Sequence, residues 1–284
     1  MNKISKKIIV SGASGMLGKV LVEALSLNEE YIIYNISYSN HGVIPAVFPL
    51  SYEELENHDF YAFFHCAAEV NVNLCENDFK HALKSNSEYT RLLFLKVKAS
   101  KYVYISTDSV YKGDVGNFNE SDETSPLNNY AKSKLMGELE ATKLRKNLYI
   151  IRTNIFGNNS KSQSSLYEWA KRELLLKNVI NGFVNIYFNP LSVKHLSEIL
   201  IHLINNYVPF GVYNLGSNES LSKYDFLIKV SNLLGANENL IIPNDYQFSV
   251  GNAKRPLNTT LDCTKIKKFI KNLDLSIDKS FGLL

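Results

Sequence analysis

The sequence predicts an α/β fold, a doubly wound parallel sheet with a smaller C-terminal lobe, on three observations. An apolar strand near the N-terminus runs straight into a glycine-spaced loop and an amphipathic helical pattern. Strand and helical patterns then alternate as far as Arg152, as in parallel strands joined by right-handed crossovers. Beyond Arg152 the regularity weakens. Residues 1–154 are therefore assigned to the sheet domain and 155–284 mainly to a substrate-binding lobe, with segments near 184–216 returning to the sheet.

The first strand is Lys6-Lys7-Ile8-Ile9-Val10, followed by Ser11-Gly12-Ala13-Ser14-Gly15-Met16-Leu17-Gly18 and a helix to about Leu27. Gly12, Gly15 and Gly18 suit a tight turn, close approach of the backbone to a pyrophosphate, and close packing of helix on strand. Ser14, Met16 and Leu17 fall where the helix N-terminus meets the phosphates. A plain strand-to-helix turn is the alternative, but the N-terminal position favours a Rossmann-like, dinucleotide-binding unit. The second strand, Tyr31 to Ile36, leads into Ser37-Tyr38-Ser39-Asn40-His41. No carboxylate is present there for the ribose 2′-hydroxyl of NAD. Ser39 and Asn40 leave room for a 2′-phosphate, so NADP(H) is favoured over NAD(H), with no Arg in the segment to hold it.

Val43 to Leu50 is expected as a third strand, irregular or at an edge because of Pro45 and Pro49. Phe60 to Ala68 reads as a buried strand ending in Cys66, Ala67 and Ala68, small residues against which a cofactor can lie. His65 beside Cys66 reads as a core histidine rather than half of a reactive pair. Phe79 to Ser100 carries a helical pattern with Leu83, Asn86, Thr90, Leu93 and Val97 directed inward. The strand Tyr102–Ser106 then delivers Thr107 and Asp108 to its carboxyl edge, the ligand-binding edge of open α/β sheets.

A polar loop, Gly113 to Ser125, leads to a helix over about 128–146 that carries Tyr130 and Lys134. Positions i and i+4 share a helix face, so the ammonium can stand beside the phenol. A phenol with a pKa of about 10 is a poor proton relay at neutral pH, and a nearby cation favours its ionised form. Taken alone, this spacing is commonplace among surface neighbours. Leu148–Arg152 is another buried strand. A turn at Thr153–Gly157, a helix at Leu166–Asn178, a strand at Val184–Phe188 and a helix at Val193–Ile204 follow, with His195 expected as a surface or capping residue. Gly211–Gly216 is the last central strand and Lys223–Leu234 a further helix. Arg255, in Lys254-Arg255-Pro256, either clamps a substrate phosphate or sits on the surface.

With 31 basic and 28 acidic residues, a net charge of +3 implies no nucleic-acid or membrane-surface partner. No apolar run is long enough for a signal peptide or a membrane span. Cys66, Cys75 and Cys263 lack metal-ligand or CxxC spacing, so neither a metal site nor a disulfide scaffold is expected, and a reducing cytoplasm fits best.

GASGMLG at 12–18, HCAA at 65–68, ISTDSVY at 105–111 and YAKSK at 130–134 occur together, with RTNIFG at 152–157 and RP at 255–256 following in order. Together they resemble the extended short-chain dehydrogenase/reductase superfamily and, within it, the dTDP-4-dehydrorhamnose reductase family, over nearly the whole chain. The resemblance implies that Tyr130 protonates a carbonyl oxygen while hydride arrives from a nicotinamide. Lys134 would hold the nicotinamide ribose and lower the Tyr130 pKa, and Thr107 would bond the reacting oxygen. It also implies that the glycines wrap the pyrophosphate, with Ala67 and Ala68 lining the cofactor.

Related 4,6-dehydratases look like TDE where this chain has Thr107-Asp108-Ser109, and without the Glu no obvious base remains for water elimination. Epimerases of the superfamily usually have a Ser-Ser type of segment here. Reduction of a nucleotide-linked 4-keto-6-deoxy sugar, in surface polysaccharide biosynthesis, is the expected activity. The alternatives are an epimerase or another carbonyl reductase, or a non-catalytic dinucleotide-binding regulatory subunit. Ser109 stands in place of the reductase branch's aromatic residue, and Pro49-Leu50-Ser51 lacks the usual Asp. The expected partners are the nucleotide sugar and a second copy of the chain, paired through helices 79–99 and 128–146.

Overall fold

A computed structural model describes residues 5–36, 47–158, 165–248 and 251–284. In chain order the strands are β1 (Lys6–Ser11), β2 (Tyr31–Ile36), β3 (Phe48–Pro49), β4 (Asp59–His65), β5 (Lys98–Thr107), β6 (Leu148–Thr153), β7 (Ile155–Phe156), β8 (Ile180–Phe183), β9 (Tyr187–Phe188), β10 (Leu191–Ser192), β11 (Gly211–Leu215), β12 (Leu221–Ser222) and β13 (Ile241–Asn244). The helices are α1 (Met16–Ser26), α2 (Val72–Asn77), α3 (Phe79–Leu83), α4 (Tyr89–Lys96), α5 (Asn129–Leu144), α6 (Leu166–Leu175), α7 (Val193–Asn205), α8 (Lys223–Leu234), α9 (Thr264–Lys267) and α10 (Ile277–Gly282).

Two compact units emerge. The first comprises Met1–Thr107, Asn128–Arg152 and Ser197–Tyr213. Its sheet has the order β11-β6-β5-β4-β1-β2-β3, with the pairs from β5 through β3 parallel. Ile8, Ile9 and Val10 of β1 are fully buried, as are Phe63 and Phe64 of β4. Helix cover on both faces explains these continuous apolar runs. The strand order reverses between β1 and β4, and there Ser11 pairs with His65 and the Cys66 N–H donates to the Ser11 carbonyl at 3.1 Å. The glycine loop and Cys66–Ala68 thus leave the sheet side by side at a topological switch point.

Helix formation over 79–100 departs from the expected pattern. α3 passes through a π turn at Lys84–Glu88 into α4, which ends at Lys96, and Lys98 already belongs to β5. The cause is non-local: Arg145 Nη2 donates to the carbonyls of Phe94, Leu95 and Val97, satisfying groups that a helix end leaves open. The described part of the third strand is only Phe48–Pro49, and the expected strand at 184–188 is replaced by β8 and β9.

The second unit comprises Asp108–Leu127, Thr153–Leu196 and Asn214–Leu284. Three two-stranded pairings, β10 with β7, β12 with β9 and β13 with β8, frame an aromatic core. Phe156 lies 5.0 Å, centroid to centroid, from both Phe226 and Phe281. His195 is fully buried, not a surface or capping residue. Its Nε2 donates to the Asp274 carbonyl at 2.8 Å and its Nδ1 accepts from Ser280 Oγ at 2.8 Å, so it pins α10 beside α7.

Candidate active site

The glycine loop lies wholly within the first unit. Gly12 has φ +69°, and a Cβ there would sit 2.6 Å from the Ala67 amide nitrogen; on Gly18 a Cβ would sit 2.2 Å from the Gly12 carbonyl oxygen. Both positions therefore require glycine. Gly15 N–H donates to the Gly12 carbonyl at 2.9 Å and caps α1 without a side-chain hydrogen bond. No acidic residue occupies the first turn, so the helix N-terminus carries its partial positive charge toward this loop. Ser14 and Met16 are half-buried and Leu17 is buried; Cys66, Ala67 and Ala68 are half-buried beside the loop. A dinucleotide pyrophosphate fits this donor set. Ser39, Asn40 and His41 lie outside the described residues.

His65 braces the cradle from below. Ser11 Oγ donates to its Nδ1 at 2.6 Å, its Nε2 donates to Thr90 Oγ1 at 2.9 Å, and Thr90 Oγ1 donates to the Asn86 carbonyl at 2.8 Å. Burial, reinforced by the Lys134 charge, pulls its pKa down to about 3 and keeps it neutral. Burial pushes the Cys66 thiol up to about 12 against the pull of Lys134, so this histidine and thiol are not a reactive pair.

Asn128 caps α5, its side chain accepting from the Ala131 N–H at 2.9 Å, and this places Tyr130 in the first turn. Lys134 follows one turn later on the same face. Ser133 Oγ donates to the Tyr130 carbonyl at 2.7 Å and accepts from Asn86 Nδ2 at 2.9 Å, tying that turn to the π turn. Lys134 Nζ donates to the Ile105 carbonyl at 2.7 Å and lies 4.3 Å from the Tyr104 ring centroid. The ammonium therefore sits two residues from Thr107, which ends β5 and is buried. Burial draws the Lys134 pKa down to about 8, opposed by Glu138 and by Cys66. Gly137 lets this packing occur, since a Cβ there would lie 2.2 Å from Tyr104 Oη.

In the second unit Asp108 is buried, accepting from Asn154 Nδ2 at 2.9 Å and from Ser109 Oγ at 3.1 Å. Lys223 Nζ lies 3.1 Å from the Phe188 ring centroid. Burial brings its pKa to about 7; the Asp108 charge opposes this fall and the Arg255 charge adds to it. Arg255 is exposed overall, yet desolvation pulls its guanidinium below the usual range, opposed by Tyr246. Lys223, Glu138, Arg152 and Asn86 were not singled out as site residues from the sequence, because burial rather than spacing gives each its weight. Among the described residues no cluster of His, Cys, Asp and Glu could hold a metal, and no helix is long and apolar enough to cross a membrane.

Comparison with known proteins adds four findings. The family model described as RmlD substrate binding domain matches residues 6–274. Among curated proteins, the chain is 24% identical over 282 residues to dTDP-4-dehydrorhamnose reductase of Aggregatibacter actinomycetemcomitans, covering 92% of each chain. It is 23% identical over 278 residues to methionine adenosyltransferase 2 subunit beta of Danio rerio, covering 92% of this chain and 84% of that one. Among solved structures, dTDP-4-dehydrorhamnose reductase from Bacillus anthracis str. Ames in complex with NADP superposes with a TM-score of 0.84 at 24% identity, covering 100% of this chain and 98% of that one.

Proposed function

The chain belongs to the RmlD substrate binding domain family, and from that premise we propose that it is an NAD(P)H-dependent reductase of a nucleotide-linked 4-keto-6-deoxy sugar, acting in surface polysaccharide biosynthesis. The observation that carries this reading is the placement of Tyr130 and Lys134 on one face of α5, with the Lys134 ammonium bonded to β5 two residues before Thr107.

Gly12, Gly15 and Gly18 would hold the pyrophosphate of the dinucleotide, and Ala67 and Ala68 would give it room; held there, its nicotinamide would supply the hydride for the sugar carbonyl carbon. Tyr130 Oη gives a proton to the carbonyl oxygen, completing the alcohol, while Thr107 Oγ1 donates a hydrogen bond to that oxygen. Lys134, as a cation beside the phenol, lowers the cost of the phenolate that remains. Asp108 and Arg255, both in the second unit, contact the substrate. NADP(H) is favoured over NAD(H) because residues 37–41 contain no carboxylate. A reducing cytoplasm fits the chain's three cysteines, which lack disulfide-scaffold spacing. A second copy docks through α4 and α5, where Leu92, Leu95, Met136 and Leu139 are exposed.

The test is turnover on a panel of 4-keto sugar nucleotides with NADH and NADPH side by side. Oxidation of the cofactor is expected, with Tyr130→Phe slower by about 10²–10⁴-fold. Product formed without net cofactor oxidation would indicate an epimerase. Likeness to methionine adenosyltransferase 2 subunit beta favours one further reading, a regulatory subunit, which tight cofactor binding without turnover on any of these sugars would support.

A further inference from the structure

Glu138 lies one turn beyond Lys134 on α5, buried at 2% exposure. Arg152, in β6, donates from Nε to Oε1 and Oε2 at 3.1 and 3.3 Å and from Nη2 to Oε2 at 2.7 Å. Ser106 Oγ donates to Oε1 at 2.5 Å. A buried ion pair of this kind is a weak source of stability, since desolvation offsets much of the attraction and an apolar pair often serves as well. Its position suggests another use. Ser106 directly precedes Thr107, and the Ile105 carbonyl beside it accepts the Lys134 ammonium.

We propose that Glu138 is a positioning residue: through Ser106 it fixes the end of β5, and with it Thr107, against the turn of α5 that carries Lys134, and its carboxylate keeps the Lys134 side chain a cation. Among the described residues, the titratable and charged groups around Lys134 are His65 and Cys66 at the end of β4, Tyr104 of β5, Tyr130 and Glu138 of α5, and Arg152 of β6 behind Glu138. His65 is held neutral, and burial keeps the Cys66 thiol and the Tyr104 phenol protonated at neutral pH. Glu138 is thus the carboxylate in this group.

The catalytic consequence rests on the reductase reading; the charge on Lys134 does not. It is read by NMR titration of the full chain labelled with 13C at lysine Cε, the Lys134 resonance being assigned by its loss in Lys134→Arg. A midpoint of about 8 is expected for the unaltered protein. In Glu138→Gln it falls by about one unit or more, at least tenfold less cation at a given pH above the midpoint. The alkaline limb of kcat/KM moves by the same amount. Ser106→Ala leaves the midpoint in place but lowers kcat by about tenfold or more, because a displaced Thr107 spoils alignment.

An unmoved midpoint in Glu138→Gln overturns the electrostatic role, and an unchanged kcat in Ser106→Ala overturns the positional one. Because Glu138→Gln leaves Arg152 without its ion-pair partner, the paired change Glu138→Leu with Arg152→Met serves as a second variant. A folded double variant with the original Lys134 midpoint also overturns the proposal. Absence of turnover in the unaltered protein counts against the reductase reading alone, since the titration needs no substrate.

Discussion

A methyl group on Gly12 would lie 2.6 Å from the Ala67 amide nitrogen at a φ of +69°. Gly12→Ala is therefore expected to cost about 1–3 kcal/mol of stability and to weaken NADPH binding at least ~10-fold, measured by thermal denaturation and fluorescence titration. Gly15→Ala, whose Cβ would meet a carbonyl oxygen only at 3.2 Å, is the milder control, and equal damage from the two changes would refute the assignment of the turn to Gly12. Lys134 gives a pH prediction of opposite sign for activity and stability. Its folded pKa of about 8 lies below the ordinary 10.5, so the folded state releases this proton first. Between those values the unfolded chain binds more protons, and this residue's contribution to stability rises with pH, by up to ~1.4 kcal/mol per unit. Activity falls over the same range as the cation is lost. The comparison is made between pH 8 and 9 against Lys134→Met: the unaltered protein should gain stability relative to the variant while its kcat/KM declines, and a parallel loss of both would refute it. Tyr130, Lys134 and Thr107 were legible in the sequence because covalent spacing sets them on one helix face and one strand end. Glu138 and Lys223 were not, since a carboxylate or ammonium acquires its role from burial among residues distant in the chain.

At the scale of elements, β1, β4 and α5 were readable because each is a long run with one period. The end of α4 at Lys96 was not, because it depends on Arg145 reaching back from just beyond α5. Nor were the two-residue strands of the second unit, which are too short to show alternation. The buried chain of hydrogen bonds from Ser11 through His65 and Thr90 to Asn86 joins β1, β4 and the π turn, and it carries an acid weakness. His65 has a folded pKa of about 3 against 6.5 when unfolded. Between these values the unfolded chain binds the extra proton, so stability falls as pH drops from 6.5 toward 3, at about 1.4 kcal/mol per unit at most. His65→Asn should be less stable at pH 7, because it loses buried hydrogen bonds, and should lose less additional stability on acidification. Urea denaturation at pH 7 and pH 5 compares the two slopes, and identical slopes would remove His65 as the source.

For the molecule as a whole, the parallel sheet and its ligand-binding edge followed from the alternation of strand and helix patterns, while the strand order came from the structure. The makeup of the second unit did not, because Asp108–Leu127 and Thr153–Leu196 join it from separate stretches of chain. The helices over the sheet bear on assembly. α4 presents Leu92 and Leu95 at 39% and 50% exposure, and α5 presents Met136 and Leu139 at 42% and 53%. Each pair is spaced i, i+3 and so shares a helix face, and α4 packs beside α5. Neighbouring exposed apolar side chains on adjacent helices mark an interaction surface. In the proposed dimer a second copy related by a two-fold axis, the commonest oligomer symmetry, would cover it with the same residues. A stable interface needs about 800 Å² per partner, so these four residues would form its centre and the flanking polar positions its rim. Sedimentation at micromolar concentration is expected to show a dimer. Leu95→Glu combined with Leu139→Glu should yield a monomer with a nearly unchanged melting temperature, because both sites are exposed in the single chain. Its affinity for NADPH should also persist, because the glycine cradle is complete within the first unit. A chain that sediments as a monomer before any substitution would refute this assembly, as would a double variant that remains dimeric.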